Sequence, residues 1–174
     1  MGKRVMTGII SRLDQKKIRQ HLRALCSIDK QVFGTDAWGP QNFEIPLPTK
    51  FELSRIAFHE LDIAGYLVAS EYSSKIAHIH RLVVASELRR IGIATELVKG
   101  FEEGCVAMKI GEVTLEVAKG NYQANCFYEK MGFRPMAHER LLNYLRAKSK
   151  IEFADRYLEE SPRCKALVYS KSVR

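Results

Sequence analysis

The chain has no apolar run long enough to cross a membrane: a spanning helix needs about 20 nearly uncharged residues, and runs such as 63–70 stop well short. A soluble protein is expected. Lys3 and Arg4 precede an uncharged run over 5–11, but no small-residue cleavage pattern follows, which argues against export. Met6 stands where a myristoylation signal carries Ser or Thr. Cysteine is scarce: Cys26, Cys105, Cys126 and Cys164 are far apart with no CxxC pair, so reduced thiols in a cytoplasmic compartment are expected instead of a disulfide frame or zinc knot. His78 and His80 share one strand face, but no further Cys, His or carboxylate cluster completes a metal site. Five prolines, 11 glycines and no internal repeat rule out a collagen-like or low-complexity chain.

What is present fits one folded domain over 1–174. The 174 residues are 46% hydrophobic and 28% charged, an ordinary globular balance. Lys and Arg exceed Asp and Glu by 28 to 20, a net +8. A surface of that sign attracts polyanions: nucleic acid, an anionic lipid face or a phosphate-rich cofactor.

Changes of hydrophobic period divide the chain. Residues 5–10 read as a short strand. From Asp14, an N-cap candidate, Ile18, Leu22, Leu25, Cys26 and Val32 recur at helical spacing up to Gly34, with a break expected near Ser27. Residues 35–49, with Trp38-Gly39-Pro40 and two further prolines, read as a long loop. Residues 51–59 and 64–71 read as strands turning near Asp62, with Gly65 a bulge candidate, and 77–84 as a third strand. A glycine turn at Gly92 leads into a helix carrying Ala94, Leu97, Val98 and Phe101, with Gly104 behind. Residues 113–117 alternate as a strand, 122–131 form a short helix stopped by Gly132, and 166–170 a last strand. A basic stretch of about 137–161, with Leu141, Leu145, Ile151 and Leu158, is expected to insert one or two helices before that strand.

Strand, glycine turn and helix together aim unpaired backbone N–H groups and the positive end of a helix dipole at one point, where phosphates bind. Gly92 lets a pyrophosphate approach the backbone, Ala94 keeps the third position small, Thr95 offers a hydroxyl, and Arg89 and Arg90 supply charge. The turn is neither GxGxxG nor GxxxxGK[ST], which argues against a dinucleotide or nucleoside triphosphate.

The segment Arg89-x-x-Gly92-x-Ala94 after Leu82-Val83-Val84, then Leu115-Glu116-Val117, then Asn121-x-x-Ala124-x-x-Phe127-Tyr128-Glu129-x-x-Gly132-Phe133, resembles the GCN5-related N-acetyltransferase (GNAT) superfamily. Within it, the pattern looks most like the branch that acetylates the N-termini of ribosomal proteins. The resemblance implies an α/β (α+β) domain with a mixed central sheet of about six or seven strands, splayed at the cofactor and flanked by helices. It also implies acetyl transfer from acetyl-coenzyme A to a primary amine by direct attack in a ternary complex. Residues Arg89, Arg90, Ile91, Gly92, Ile93, Ala94 and Thr95 fall at the family's pyrophosphate loop, Leu82 and Val84 at its pantetheine-pairing strand, and Asn121 at a position that often contacts the cofactor.

The chemistry needs a proton acceptor for an amine that is mostly protonated at neutral pH, a donor for the developing oxyanion, and a proton for the departing thiolate. Glu116, on a strand face with Thr114 and Ala118, is the candidate base, directly or through a water, with His80 the second choice. By family likeness, the Val84 N–H takes the oxyanion and Tyr128 the thiolate. Each has a plainer rival: Glu116 as a solvent-facing carboxylate, Tyr128 as a packed aromatic, Asn121 as a helix N-cap. The acceptor is expected to be a protein or peptide amine. The alternatives are a small-molecule amine (polyamine, amino sugar or antibiotic), or a non-catalytic acyl-coenzyme A sensor or RNA-associated basic factor. A monomer or homodimer is expected, with no membrane partner.

Overall fold

The computed structural model describes residues 8–73, 75–137 and 166–173. The expected helical insertion over 137–161 and Cys164 lie almost wholly outside these residues. The class is α/β, with seven strands and five α-helices among the described residues, and the chain forms two compact units, Glu112–Ser172 and the remainder.

The first unit holds four antiparallel strands, β1 (Gly8–Arg12), β2 (Arg55–His59), β3 (Asp62–Ser73) and β4 (Ile76–Val84), paired in that order. The first strand, expected over 5–10, runs on to Arg12, two residues past its expected end, while 5–7 lie outside the described residues. The register of β2 on β3 slips between Ala57 and Phe58, so Ala64, beside the expected Gly65, is the extra residue of a bulge. Helix α1 (Gln15–Phe33) starts where Asp14 accepts a hydrogen bond from the Lys17 N–H at 2.8 Å and stops at Gly34, φ +59°. It runs unbroken through Ser27, because Leu25 and Ile28 on either side are both anchored in the core.

Residues 35–49 are not all loop. A 3-10 turn over Gly34–Asp36 is followed by α2 (Pro40–Glu44), in which Pro40 takes the first helical position, where its missing N–H costs nothing. The expected strand start at 51 is also corrected: Lys50–Leu53 forms a helical turn, α3, and β2 begins only at Arg55. Lys50 is 1% exposed and its Nζ donates to the Phe43 and Ile45 carbonyls at 2.5 and 2.8 Å, tying the end of α2 to this turn. No periodicity in the sequence encodes that tie.

Helix α4 (Ile93–Ala107) continues past Gly104, and the Arg55 side chain lies where side chains at Gly100 and Gly104 would stand, so the two glycines make room for it inside the helix instead of ending it. The core beneath α1 gathers Leu13, Ile18, Leu25, Phe43, Ile56, Tyr66, Val68 and Val83. On β3 the alternate residues Leu67 and Ala69, wholly buried, point to the other face, and Leu97, Val98, Phe101 and Cys105 bury the inner side of α4.

In the second unit β5 (Glu112–Ala118) pairs antiparallel with β7 (Ala166–Ser172), two residues longer than expected. A two-residue strand that the sequence did not announce, β6 (Arg134–Pro135), pairs with the other edge of β7. Between them α5 (Tyr122–Lys130) ends before Gly132, φ +87°.

Candidate functional site

The register of β3 on β4 decides what the end of β4 can bind. Gly65 stands opposite Val84 and Leu67 opposite Leu82, and the Ala85 N–H donates to the Ala64 carbonyl at 2.9 Å. Hydrogen-bonded and non-bonded pairs alternate along an antiparallel ladder, so Leu82 and Val84 are non-bonded positions whose N–H and C=O turn away from β3. Gly65 allows the close approach there: a Cβ on it would stand 2.4 Å from the Val83 carbonyl oxygen.

Beyond Val84 a 3-10 turn (Ser86–Leu88) leads to Arg90 and Gly92, both left-handed at φ +65° and +100°. Arg89 and Arg90 are exposed and Ile91 half-buried. Arg89 Nε donates back to the Val84 carbonyl at 3.4 Å, closing the turn against the strand. Gly92 is the N-cap of α4 and offers no side chain. The first bond back to it comes from the Glu96 N–H (3.1 Å), so the N–H groups of Ile93, Ala94 and Thr95 precede the helix ladder. Space within 4 Å above Gly92 is open. Open backbone donors, successive positive-φ turns and the positive end of a 15-residue helix together suit an anion.

Glu116, Asn121 and Tyr128 lie in the second unit. Glu116 is half-buried on β5, opposite Val168. Its neighbour Thr114 is 1% exposed, as are Val113 and Leu115 or less, so both faces of β5 are covered and the expected polar face is not open to solvent along its length. Asn121 takes the plainer role foreseen for it: it N-caps α5, its Oδ1 accepting from the Ala124 N–H at 3.1 Å. Tyr128 is 7% exposed, edge-on to Phe127 and Phe133, and its hydroxyl has no hydrogen-bond partner among the described residues. Burial raises its pKa above the ordinary phenol range, which keeps the hydroxyl protonated at neutral pH and able to donate. His80 is exposed on β4 in the first unit, 2.7 Å from Ser70 Oγ and edge-on to His78.

Two networks escaped the sequence reading. In the first unit, wholly buried Asp29 accepts from Arg81 Nε (2.8 Å) and Nη2 (2.6 Å), from the Trp38 N–H (2.6 Å) and from the Tyr66 hydroxyl. Arg81 also donates to the Asp36 carbonyl and stacks 3.4 Å above the centroid of the Phe33 ring. Desolvation pushes the Asp29 carboxyl up, but the bonds from Arg81, Tyr66 and Trp38 together outweigh it and hold it below its ordinary value. The segment from α1 to Trp38 is thereby fastened to β4 beside Leu82. In the second unit, Asn125 donates to the Ala118 and Lys119 carbonyls and accepts from Tyr169, fixing the turn that follows β5. Asp29 does interrupt the apolar stripe of α1, and Arg81 an apolar strand. Those interruptions were the available signal, while their pairing across 52 residues was not.

Thus, within the first unit, Leu82, Val84 and residues 89–95 follow one another along a stretch suited to an extended, anionic ligand; within the second unit, Glu116 is a half-buried carboxylate and Tyr128 a buried, protonated phenol. The described cysteines 26, 105 and 126 are free thiols, and no described helix is long and apolar enough to span a membrane.

Comparisons with known proteins converge. N-alpha-acetyltransferase 30 of Dictyostelium discoideum is 31% identical over 96 residues, 53% of this chain and 51% of that protein, so the chain spans about half the length of the curated relative it matches. The ribosomal-protein-S18-alanine N-acetyltransferase of Escherichia coli shares the fold with a TM-score of 0.70 at 16% identity, covering 96% of this chain and 94% of that one. Arabidopsis thaliana Naa50, solved in complex with the bisubstrate analogue CoA-Ac-MVNAL, superposes with a TM-score of 0.66 at 20% identity over 95% and 99% of the two chains. Residues 10–148, well over half of the chain, match the acetyltransferase (GNAT) domain, and the chain belongs to that family.

Proposed function

We propose that the whole chain is one acetyl-coenzyme A-dependent N-acetyltransferase domain, acting in a reducing, cytoplasmic setting on the amine of a protein or peptide. The observation that carries this reading is the set of available backbone donors along one stretch of chain, Leu82 and Val84 on β4 and then Ile93, Ala94 and Thr95 at the start of α4. Its strand part matches the amides and carbonyls of a pantetheine arm, and its helical part a diphosphate. The peptide preference rests on likeness to N-alpha- and ribosomal-protein acetyltransferases.

Acetyl-coenzyme A supplies the acetyl group as a thioester. The chain's own residues then have three tasks. Glu116 takes the proton that the amine gives up as the C–N bond forms, directly or through a water. The Val84 N–H donates to the carbonyl oxygen as it gains charge; one such donor is typically worth about 3 kcal/mol of transition-state stabilisation. The Tyr128 hydroxyl gives its proton to the sulfur as the C–S bond breaks. Asn121, its Oδ1 committed to capping, positions α5 and therefore Tyr128.

The test is thiol release, corrected for hydrolysis, with a peptide panel and a panel of polyamines and amino sugars. Faster turnover with peptides and acetyl found on the peptide amine support the reading. Turnover confined to small amines replaces the acceptor, and no turnover with retained cofactor binding favours an acyl-coenzyme A sensor. Unchanged rates in both Glu116→Gln and Tyr128→Phe would discard the assigned mechanism.

A further inference from the structure

The first unit contains a second cationic place that acetyl transfer does not use. Arg12 and Arg55 are direct cross-strand partners on β1 and β2, and both line a cavity of about 420 Å³ under α4. Like charges placed opposite each other destabilise an antiparallel pair. Arg55 is moreover 93% buried, being 7% exposed. Its Nη1 donates to the Glu52 and Ser54 carbonyls at 2.6 and 3.0 Å, while Nε and Nη2 have no hydrogen-bond partner among the described residues. Burial, and then the charge of Arg12, lower its pKa.

A buried guanidinium is ordinarily paired with a carboxylate, yet neither arginine makes an ion pair among the described residues. Of the acidic side chains lining the cavity, Glu96 is engaged by Lys99 at 2.9 Å, and exposed Glu103 acts on Arg55 only from beyond ion-pair distance. The helix wall is cut away at this level: a Cβ on Gly104 would stand 2.5 Å from Arg55 Nη2, and one on Gly100 3.3 Å from Nε.

We propose that this cavity binds a small dianionic oxyanion, phosphate or a short dicarboxylate, bridged between the Arg12 and Arg55 guanidinium groups. The fork of an arginine matches both oxyanions in geometry, and two like charges facing one cavity favour a doubly charged guest. The site shares no residue with the 82–95 segment, so it stands or falls independently of acetyl transfer.

The experiment is calorimetric titration of inorganic phosphate, and separately of succinate, into the full chain saturated with coenzyme A, so that the turn at Gly92 is filled. Should coenzyme A fail to bind, the same titrations are run without it. One saturable site is expected for at least one anion, and the tighter of the two names the guest. Exposed Arg12→Gln should weaken it about tenfold, the worth of a charge-assisted hydrogen bond, and Glu103→Gln should tighten it by removing a repelling carboxylate. Arg55→Gln should abolish it, with circular dichroism verifying the fold. Absence of saturable binding into the millimolar range for both anions, or an unaltered affinity in Arg12→Gln, would overturn the proposal.

Discussion

Replacing Asp29 by Asn tests how the Trp38 segment is held to β4. The substitution keeps size and shape but removes the charge that faces Arg81, whose side chain is only 13% exposed. Asp29 accepts four hydrogen bonds, two of them from one guanidinium. An Asn can accept through one oxygen only, and its amide nitrogen is brought against other donors. Breaking a buried pair by removing one partner typically costs about 3–5 kcal/mol, because the other charge stays desolvated. For a chain of this size that is a fall in melting temperature of roughly 6–20 °C. Chemical denaturation followed by circular dichroism measures it, and the double variant Asp29→Leu/Arg81→Met should recover much of the loss, since no charge is then stranded. The pH dependence has a definite sign. The folded carboxyl sits below its ordinary value, so its stabilisation is fully present above the unfolded pKa of about 3.9 and fades as pH falls through the folded value. Wild type and Asp29→Asn should therefore differ at neutral pH and converge in acid below about pH 4. A loss under about 1 kcal/mol, the level of an exposed pair, or a double variant no better than the single one, refutes this account.

Other expectations concern the site itself. Tyr128→Phe should lower kcat about 10²-fold with the KM for acetyl-coenzyme A nearly unchanged, as for the loss of one general acid; a raised KM alone would instead mark a packing role. Gly92→Ala places a Cβ in open space but at φ +100°, so strain of about 1–3 kcal/mol should appear as lost stability and weaker coenzyme A binding together. Asn121→Ala should cost about 1 kcal/mol of stability through the lost cap, readable by urea titration, with Asn121→Ser restoring most of it.

The sequence displayed the parts of this protein that are local. Asp14 and Gly34 bracket α1, Gly92 opens α4 and Asn121 opens α5, because capping chemistry acts within three or four residues. The order of strand, turn and helix start over 82–95 was likewise legible, since the three follow in series. The departures are long-range. Lys50 turns residues 50–53 into a helix by reaching the carbonyls of Phe43 and Ile45. Gly100 and Gly104 stand inside α4, where they leave room for the Arg55 side chain of a distant strand. Asp29 and Arg81 meet across 52 residues, and β6 exists only because β7 offers an edge to Arg134 and Pro135. Periodicity registers each such residue as an exception without naming its partner.

The central claim is that this chain passes acetyl groups to peptide amines. It is tested most directly by incubating the purified protein with acetyl-coenzyme A and an equimolar mixture of short peptides and polyamines, then locating the acetyl groups by fragmentation mass spectrometry. Acetyl on peptide α-amines, lost in Glu116→Gln, is the predicted result. Acetyl on polyamines alone, or on nothing beyond the no-enzyme background, would contradict it.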